Sequence, residues 1–296
     1  MFRKIALSLS QSIKITTAVL ATFVLATFAP ASALALPISE NLHALVPPAS
    51  LTANYNFEGI VALDNCSGSI VRFEHSGDSD AAMVLSNGHC LESGFPTPGT
   101  YVYQQPSSRT FKVLDPGAQT LGTLRATKVI FGTMTKTDAA LYQLKETYAE
   151  ILEKFNIRPL TLSSQRPNAS DPLEVISGYW RRGYTCSLDG FVPKLKEDVF
   201  TFMDSIRYSS SGCEIIGGTS GSPIVFKGSR TVIGVNNTSN KDGESCTMNN
   251  PCEVDVSGNV SVRHGSGYGQ QTYWFYTCLN SDKQVDLSVA GCMLAP

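Results

Sequence analysis

Short runs of apolar, β-branched and aromatic residues recur along the chain from Tyr55 onward, separated by Gly, Pro, Asn, Asp and Ser. This alternation is typical of strands in an antiparallel sandwich or barrel. The earlier runs are FEGIVAL, SGSIVRF, AAMVLS, GTYVYQQ, RTFKVLD, LRATKVIFG and AALYQL. The later runs are RPLTLSS, DPLEVISGYW, DVFTFMDSIRYS, SPIVFKG, TVIGVNNT and TYWFYTC.

One segment between these two groups has a helical rather than a strand-like pattern. In KETYAEILEKF, the apolar residues Tyr148, Ile151, Leu152 and Phe155 recur at helical intervals among Glu and Lys. The pattern predicts two strand-rich halves joined by a helix. We expect the first half over about 55–145, the helix over about 145–156 and the second half over about 158–296.

The amino-terminal residues have the pattern of a secretory signal. Basic residues precede an apolar run over about 15–28, and an Ala-x-Ala pattern ends at Ala35. The run is short for a membrane span, so we expect residues 1–35 to be a removed signal peptide. Residues 36–54 are predicted to be an irregular arm or a short pro-segment. The mature protein is therefore expected to be secreted, either extracellular or periplasmic.

Charge and composition exclude some classes of partner. The formal net charge of the 296-residue chain is −2 and no basic run is present, which argues against nucleic acid or a membrane as the main partner. Removal of the signal leaves about 260 residues, enough to bury a large core. We expect a monomer.

The chain has eight cysteines, an even number, which in an exported protein favours disulfides. Zinc is the competing interpretation, but no C-x-x-C is present and His89, beside Cys90, has no second His at ligand spacing. We expect neither a metal nor another cofactor. Closeness along the chain suggests two disulfide pairs, Cys246 with Cys252 and Cys278 with Cys292.

Three residues in separate segments are candidates for nucleophilic catalysis. His89 directly follows an apolar run, Asp138 directly precedes another, and Ser220 lies in the glycine-rich stretch GGTSGSP. Each has an ordinary explanation alone: a solvated His at a strand end, an Asp in a turn, a Ser in a surface turn. The order His, Asp, Ser makes catalysis worth considering, because a serine hydroxyl needs a nearby base.

Four motifs together resemble those of a known family. They are CSGSIV at 66–71, SNGHC at 86–90, TDAAL at 137–141 and GTSGSPIV at 218–225. In this order they resemble the motifs of chymotrypsin-like (trypsin-fold) serine endopeptidases of the bacterial secreted kind. The resemblance implies two antiparallel β-barrels with the active site between them and a short connecting helix.

The resemblance also implies roles for individual residues. His89, Asp138 and Ser220 would form a catalytic triad that hydrolyses peptide bonds through an acyl-enzyme, and the N–H groups of Gly218 and Ser220 would bind the oxyanion. Cys66 would be bonded to Cys90, beside the catalytic His. The expected substrates are proteins or peptides.

Departures from the family pattern bear on specificity and activation. Thr219 stands where the trypsin branch carries an Asp, a pattern closer to that of glutamyl endopeptidases, and Ser222 stands where the family motif has a glycine. Asn236 replaces the pocket His of the glutamyl enzymes; Asn236 and the adjacent Asn237 are candidates for substrate binding. Glu214 falls near the expected pocket base, where it would either select basic residues or be a surface charge.

Two other functions compete with the endopeptidase. A catalytically inactive homologue could serve as a secreted binding or adhesion protein on the same fold. An esterase of the α/β-hydrolase type is disfavoured, because the His precedes the Ser and no alternation of strands and helices surrounds GTSGS.

Overall fold

The computed structural model describes residues 55–294, which are mostly β-strand. These residues belong to one compact unit. The strands before the second half are β1 (Ile60–Ala62), β2 (Ser67–Arg72), β3 (Ala81–Ser86), β4 (Tyr101–Pro106), β5 (Thr110–Leu114), β6 (Thr120–Thr133), β7 (Thr135–Lys136), β8 (Ala139–Thr147) and, after helix α1 (Tyr148–Phe155), β9 (Leu160–Leu162). The later strands are β10 (Pro172–Ser177), β11 (Arg182–Glu197), β12 (Phe200–Tyr208), β13 (Pro223–Phe226), β14 (Thr231–Ser239), β15 (Cys252–Val254), β16 (Val260–Ser261) and β17 (Gly267–Gln271).

Six strands of the first half close into an antiparallel barrel in the order β1, β2, β3, β8, β6, β5 and back to β1. Alternate side chains point inward, as strand geometry requires. The interior includes Ile70, Val84, Phe111, Leu124 and Tyr142. Closure removes the exposed sheet edges that an open sheet would leave.

A second antiparallel barrel closes in the order β10, β11, β12, β17, β14, β13 and back to β10. Its interior includes Leu173, Tyr184, Ile206, Tyr208 and Ile224. Two closed barrels with a short helix between them confirm the expected all-β, chymotrypsin-type architecture.

The connection between the barrels is the predicted helix followed by a short strand. Thr147 and Glu150 form a reciprocal capping box at the start of α1, and Asn156 ends the helix in the left-handed conformation. Strand β9 then pairs in parallel with β2 of the first barrel and with β14 of the second. This pairing, together with a shared core, holds the two barrels side by side.

The structure corrects two strand predictions. The aromatic run TYWFYTC is a 3-10 helix, Tyr273–Cys278, and the strand comes just before it as β17, GYGQQ. In β17 a Cβ on Gly269 would lie 2.2 Å from Ile224 Cδ1 and 2.9 Å from the backbone carbonyl oxygen of Val235. Close packing therefore favours glycine there, and the strand has no apolar pattern to mark it. The sixteen-residue strand β11 was also missed, because its polar and charged residues break the apolar runs.

The predicted signal peptide, residues 1–35, and the arm, residues 36–54, lie outside the described residues. Between residues 55 and 294 no helix is long and apolar enough to cross a membrane.

Candidate active site

Asp138 lies just before β8, at the open end of the first barrel, and its side chain is completely buried. Asn87 fixes the backbone there by donating from Nδ2 to the Asp138 carbonyl at 2.7 Å. The carboxylate oxygen Oδ1 accepts the backbone N–H of His89 at 3.0 Å. The other oxygen, Oδ2, is thereby directed at the imidazole ring.

His89 sits in the 3-10 turn Gly88–Cys90 that follows β3. Its Nδ1 lies 2.6 Å from Asp138 Oδ2. The turn must pass very close to β6, because a Cβ on Gly88 would lie 1.9 Å from the carbonyl oxygen of Thr133. Only glycine at position 88 allows this approach, so the sequence SNGHC places the ring against the carboxylate.

The pKa of His89 is raised above its ordinary value of 6.5. Burial alone would lower this pKa, but the charge of Asp138 and its hydrogen bond to the ring outweigh burial, and the charge of Glu197 adds to the rise. The imidazolium form is therefore stabilised at the site, which is the form a general base acquires during proton transfer.

Ser220 lies in a loop held by both barrels. Its carbonyl accepts the N–H of Ser67 in the first barrel at 2.8 Å, and the next residue, Gly221, donates its N–H to the carbonyl of Asn236 in the second barrel at 3.0 Å. Ser220 Oγ donates to the carbonyl of Asn237 at 3.3 Å. Within residues 55–294 it makes no hydrogen bond to His89.

The same loop presents two free backbone donors. The N–H groups of Thr219 and Gly221 are bonded within the fold, whereas those of Gly218 and Ser220 have no hydrogen-bond acceptor among the described residues. Gly218 has a φ of +87°, a left-handed conformation that favours glycine. Unpaired N–H groups of this kind are suited to binding an oxyanion.

One cleft is lined by all three candidate catalytic side chains. The other residues lining it are Phe95, Met134, Glu197, Ile215, Ile216, Gly217, Asn236, Asn237, Thr238, Ser239, Lys241, Met248 and Asn249. The two barrels both contribute, so residues distant in sequence meet at one opening.

The protein-family model of the trypsin-like peptidase domain matches residues 66–235, more than half of the chain. The chain belongs to the trypsin-like peptidases. The match spans all four motifs singled out in the sequence, from CSGSIV to GTSGSPIV, and it ends at Val235 in β14.

Solved structures similar to this trypsin-like peptidase come from several bacteria. The MamO protease domain of Magnetospirillum magneticum is 13% identical and covers 74% of this chain and 94% of its own, with a TM-score of 0.43. Nocardiopsis protease is 12% identical and covers 73% of this chain and 91% of its own, with a TM-score of 0.42. The protease Anisep of Arthrobacter nicotinovorans is 14% identical and also covers 73% of this chain and 91% of its own, with a TM-score of 0.42. No protein of curated function matches the chain in sequence.

The two asparagines expected in the substrate pocket of this trypsin-like peptidase do line the cleft. Asn236 is fully buried, and its Oδ1 accepts the hydroxyl of Tyr208 at 2.9 Å. The side-chain Nδ2 atoms of Asn236 and Asn237 are buried and have no partner within the described part of the chain. Buried donors left unpaired are costly, so a ligand group that accepts from them would be favoured.

Glu214 is not at the pocket base. The structure places it exposed to solvent and outside the residues that line the cleft, next to Cys213, whose disulfide to Cys186 holds this part of the loop. The carboxylate found in the cleft, besides that of Asp138, is Glu197. Sequence reasoning missed it, because β11 was not recognised as a strand and its end could not be placed.

Four disulfides join the eight cysteines: Cys66–Cys90, Cys186–Cys213, Cys246–Cys252 and Cys278–Cys292. They include the three pairings that the sequence suggested. Cys66, His89 and Cys90 have potential metal-ligating atoms within 4.8 Å of one another. The two sulfurs are bonded to each other, so neither is available as a thiolate ligand.

Proposed function

We propose that this trypsin-like peptidase is a serine endopeptidase whose triad is His89, Asp138 and Ser220. The observation that carries the proposal is the 2.6 Å contact between His89 Nδ1 and Asp138 Oδ2 in the cleft that also contains Ser220. With the Nδ1 proton held by Asp138, Nε2 of the neutral ring is the atom that accepts a proton.

The reaction follows from these assignments. Ser220 Oγ attacks the carbonyl carbon of the scissile peptide bond while its proton passes to His89 Nε2. The oxyanion that forms is stabilised by the N–H groups of Gly218 and Ser220, and one such donor contributes on the order of 3 kcal/mol. The proton then moves from Nε2 to the leaving amine as the C–N bond breaks. Water hydrolyses the resulting acyl-enzyme by the same proton transfers.

The free protein holds the Ser220 hydroxyl in another direction, towards the carbonyl of Asn237. The Ser220 hydroxyl must therefore turn from the Asn237 carbonyl towards His89 Nε2 after substrate binds. Such rotations are fast compared with turnover, and catalytic hydrogen bonds commonly tighten only in the substrate complex. Asn236 and Asn237 contribute the unpaired amide donors that receive acceptor groups of the substrate.

We place the mature enzyme outside the cytoplasm, with residues 1–35 as its signal peptide. The support is the sequence pattern of that segment and the four disulfides, which persist in oxidising compartments. Its substrates are proteins or peptides, as membership of the peptidase family implies.

A second candidate function is that of a secreted binding protein without catalysis. The bond from Ser220 to Asn237, in place of one to His89, favours this candidate. A protein locked in that arrangement would still offer the cleft to a peptide.

One experiment separates the two candidates. The purified mature protein is treated with a fluorophosphonate, which labels activated serines, and its turnover of a peptide library is measured. For the endopeptidase we expect labelling of Ser220, and a loss of kcat on the order of 10⁶-fold in Ser220→Ala. The matched control is Ser222→Ala, which removes a buried hydroxyl that has no hydrogen-bond partner within residues 55–294 and should keep activity. Absence of labelling and turnover in the wild type favours the binding protein.

A further inference from the structure

Glu197 is a carboxylate inside the cleft that the proposed reaction does not use. It is the last residue of β11 and is only 7% exposed. Its strand partner is Phe200, whose ring contacts Phe95, and Phe95 in turn contacts the ring of His89. Glu197 and His89 line the same cleft, and each charge acts on the pKa of the other group.

One carboxylate oxygen of Glu197 is bonded and the other is not. Oε1 accepts the hydroxyl of Thr238 at 3.0 Å and the backbone N–H of Asn249 at 2.7 Å. Oε2 accepts no hydrogen bond from residues 55–294. The bonded oxygen anchors the side chain, which leaves the second oxygen for another group.

Glu197 also has no counter-ion among the described residues. Glu253, the other buried glutamate of the described residues, is paired with Arg207 and Arg263. The one lysine lining the cleft, Lys241, is exposed, and its Nζ contacts Asn249 Oδ1 at 3.4 Å. A buried charge without a partner is costly, and a cation that enters the cleft would remove that cost.

The pKa of the Glu197 carboxylate is consistent with its burial. Burial raises the pKa of Glu197, as does the charge of Asp138, while the bonds from Asn249 and Thr238 and the charge of His89 lower it. A substrate cation beside Glu197 would favour its ionised form.

We infer that Glu197 binds a cationic side chain, Lys or Arg, of the substrate residue whose side chain lies over His89. The inference rests on the proposed endopeptidase function and names its substrate class. It assigns basic-residue preference to the His89 side of the cleft, away from Glu214. Arg and Lys are both able to bond to a single exposed carboxylate oxygen, so the inference covers both.

The test compares cleavage of peptides that carry Lys, Arg, norleucine or citrulline at each of the four positions preceding the cleaved bond. For the wild type we expect kcat/KM at one position to be at least about tenfold higher with Lys or Arg than with the neutral residues. Glu197→Gln should reduce that ratio to near one, because the cationic side chain loses its carboxylate partner. Glu214→Gln is the matched control and should keep the ratio.

Three outcomes would overturn the inference: no basic preference at any position, a preference retained in Glu197→Gln, or a preference lost in Glu214→Gln. Thermal unfolding of each variant checks folding, and Glu197→Asp, which keeps the charge, should retain part of the preference. Binding of the Lys and norleucine peptides to Ser220→Ala, measured by calorimetry with and without Glu197→Gln, tests the inference without catalysis. Failure of the endopeptidase proposal is recognised separately, by absence of fluorophosphonate labelling in the wild type.

Discussion

The disulfide between Cys66 and Cys90 joins the bend just before β2 of the first barrel to the turn that carries His89. Both cysteines are buried, and they are 24 residues apart in sequence. In the chain-entropy treatment, a loop of this length contributes about 3.5 kcal/mol by restricting the unfolded chain. Replacing both residues with Ala should lower the free energy of unfolding in urea by about that amount.

The same change should also reduce activity in the molecules that remain folded. Cys90 is adjacent to His89 in the turn, so loss of the bond releases one constraint on the 2.6 Å contact to Asp138. A misplacement of about 1 Å in a catalytic group can cost roughly 10²-fold in rate. We expect kcat/KM per folded molecule to decrease by up to about 10²-fold.

The control removes a disulfide that does not touch the cleft. Cys278 and Cys292 are 14 residues apart, which corresponds to about 3 kcal/mol of stability. This variant should lose comparable stability but keep kcat/KM per folded molecule. The reasoning is refuted if removal of Cys66–Cys90 costs less than about 1 kcal/mol, or if both variants lose activity equally.

Three further predictions concern the triad and activation. Asp138→Asn should fold normally but lower kcat by about 10⁴-fold, because the wrong tautomer of His89 is held; a variant with near wild-type kcat contradicts the assignment. Because the folded-state pKa of His89 is raised above 6.5, kcat/KM should rise with pH through a pKa above 6.5. The stability contributed by His89 should be complete below pH 6.5 and lost as pH rises through the folded-state pKa. A flat pH profile of kcat/KM, or stability that increases over that pH window, argues against His89 as the base. Thr219 is buried, its hydroxyl lies 3.4 Å from that of Tyr184, and it offers no charge to an amino-terminal ammonium. Mature chains that begin at different residues between Leu36 and Asn54, or with extra residues before Leu36, should therefore have similar kcat/KM. Activity in only one such form would show ammonium-dependent activation.

The sequence was sufficient to predict those elements that depend on interactions between neighbouring residues. The helical spacing of apolar residues in α1 and the continuous apolar run of β3 each lie within a few neighbouring positions, so both elements could be predicted. Strands β11 and β17 could not be predicted in this way. The first is interrupted by polar residues, and the second depends on Gly269 lying against Ile224 of another strand.

The same distinction applies to the residues of the candidate site. His89, Asp138 and Ser220 could be singled out because each lies in a short motif whose glycines and flanking strand are adjacent in sequence. Glu214 was expected at the pocket base from its offset to Ser220, but the path of that loop depends on contacts with other segments. The structure leaves Glu214 in solvent and brings Glu197 into the cleft from the end of β11.

The sequence by itself thus determined the all-β architecture and the three residues proposed to carry out the reaction, since strand periodicity and turn chemistry are properties of neighbouring residues. Only the tertiary structure decided which charges and donors share the cleft. Glu197, Thr238 and Asn249 meet there because the barrels close and pack together, and barrel closure brings together residues with no regular spacing along the chain.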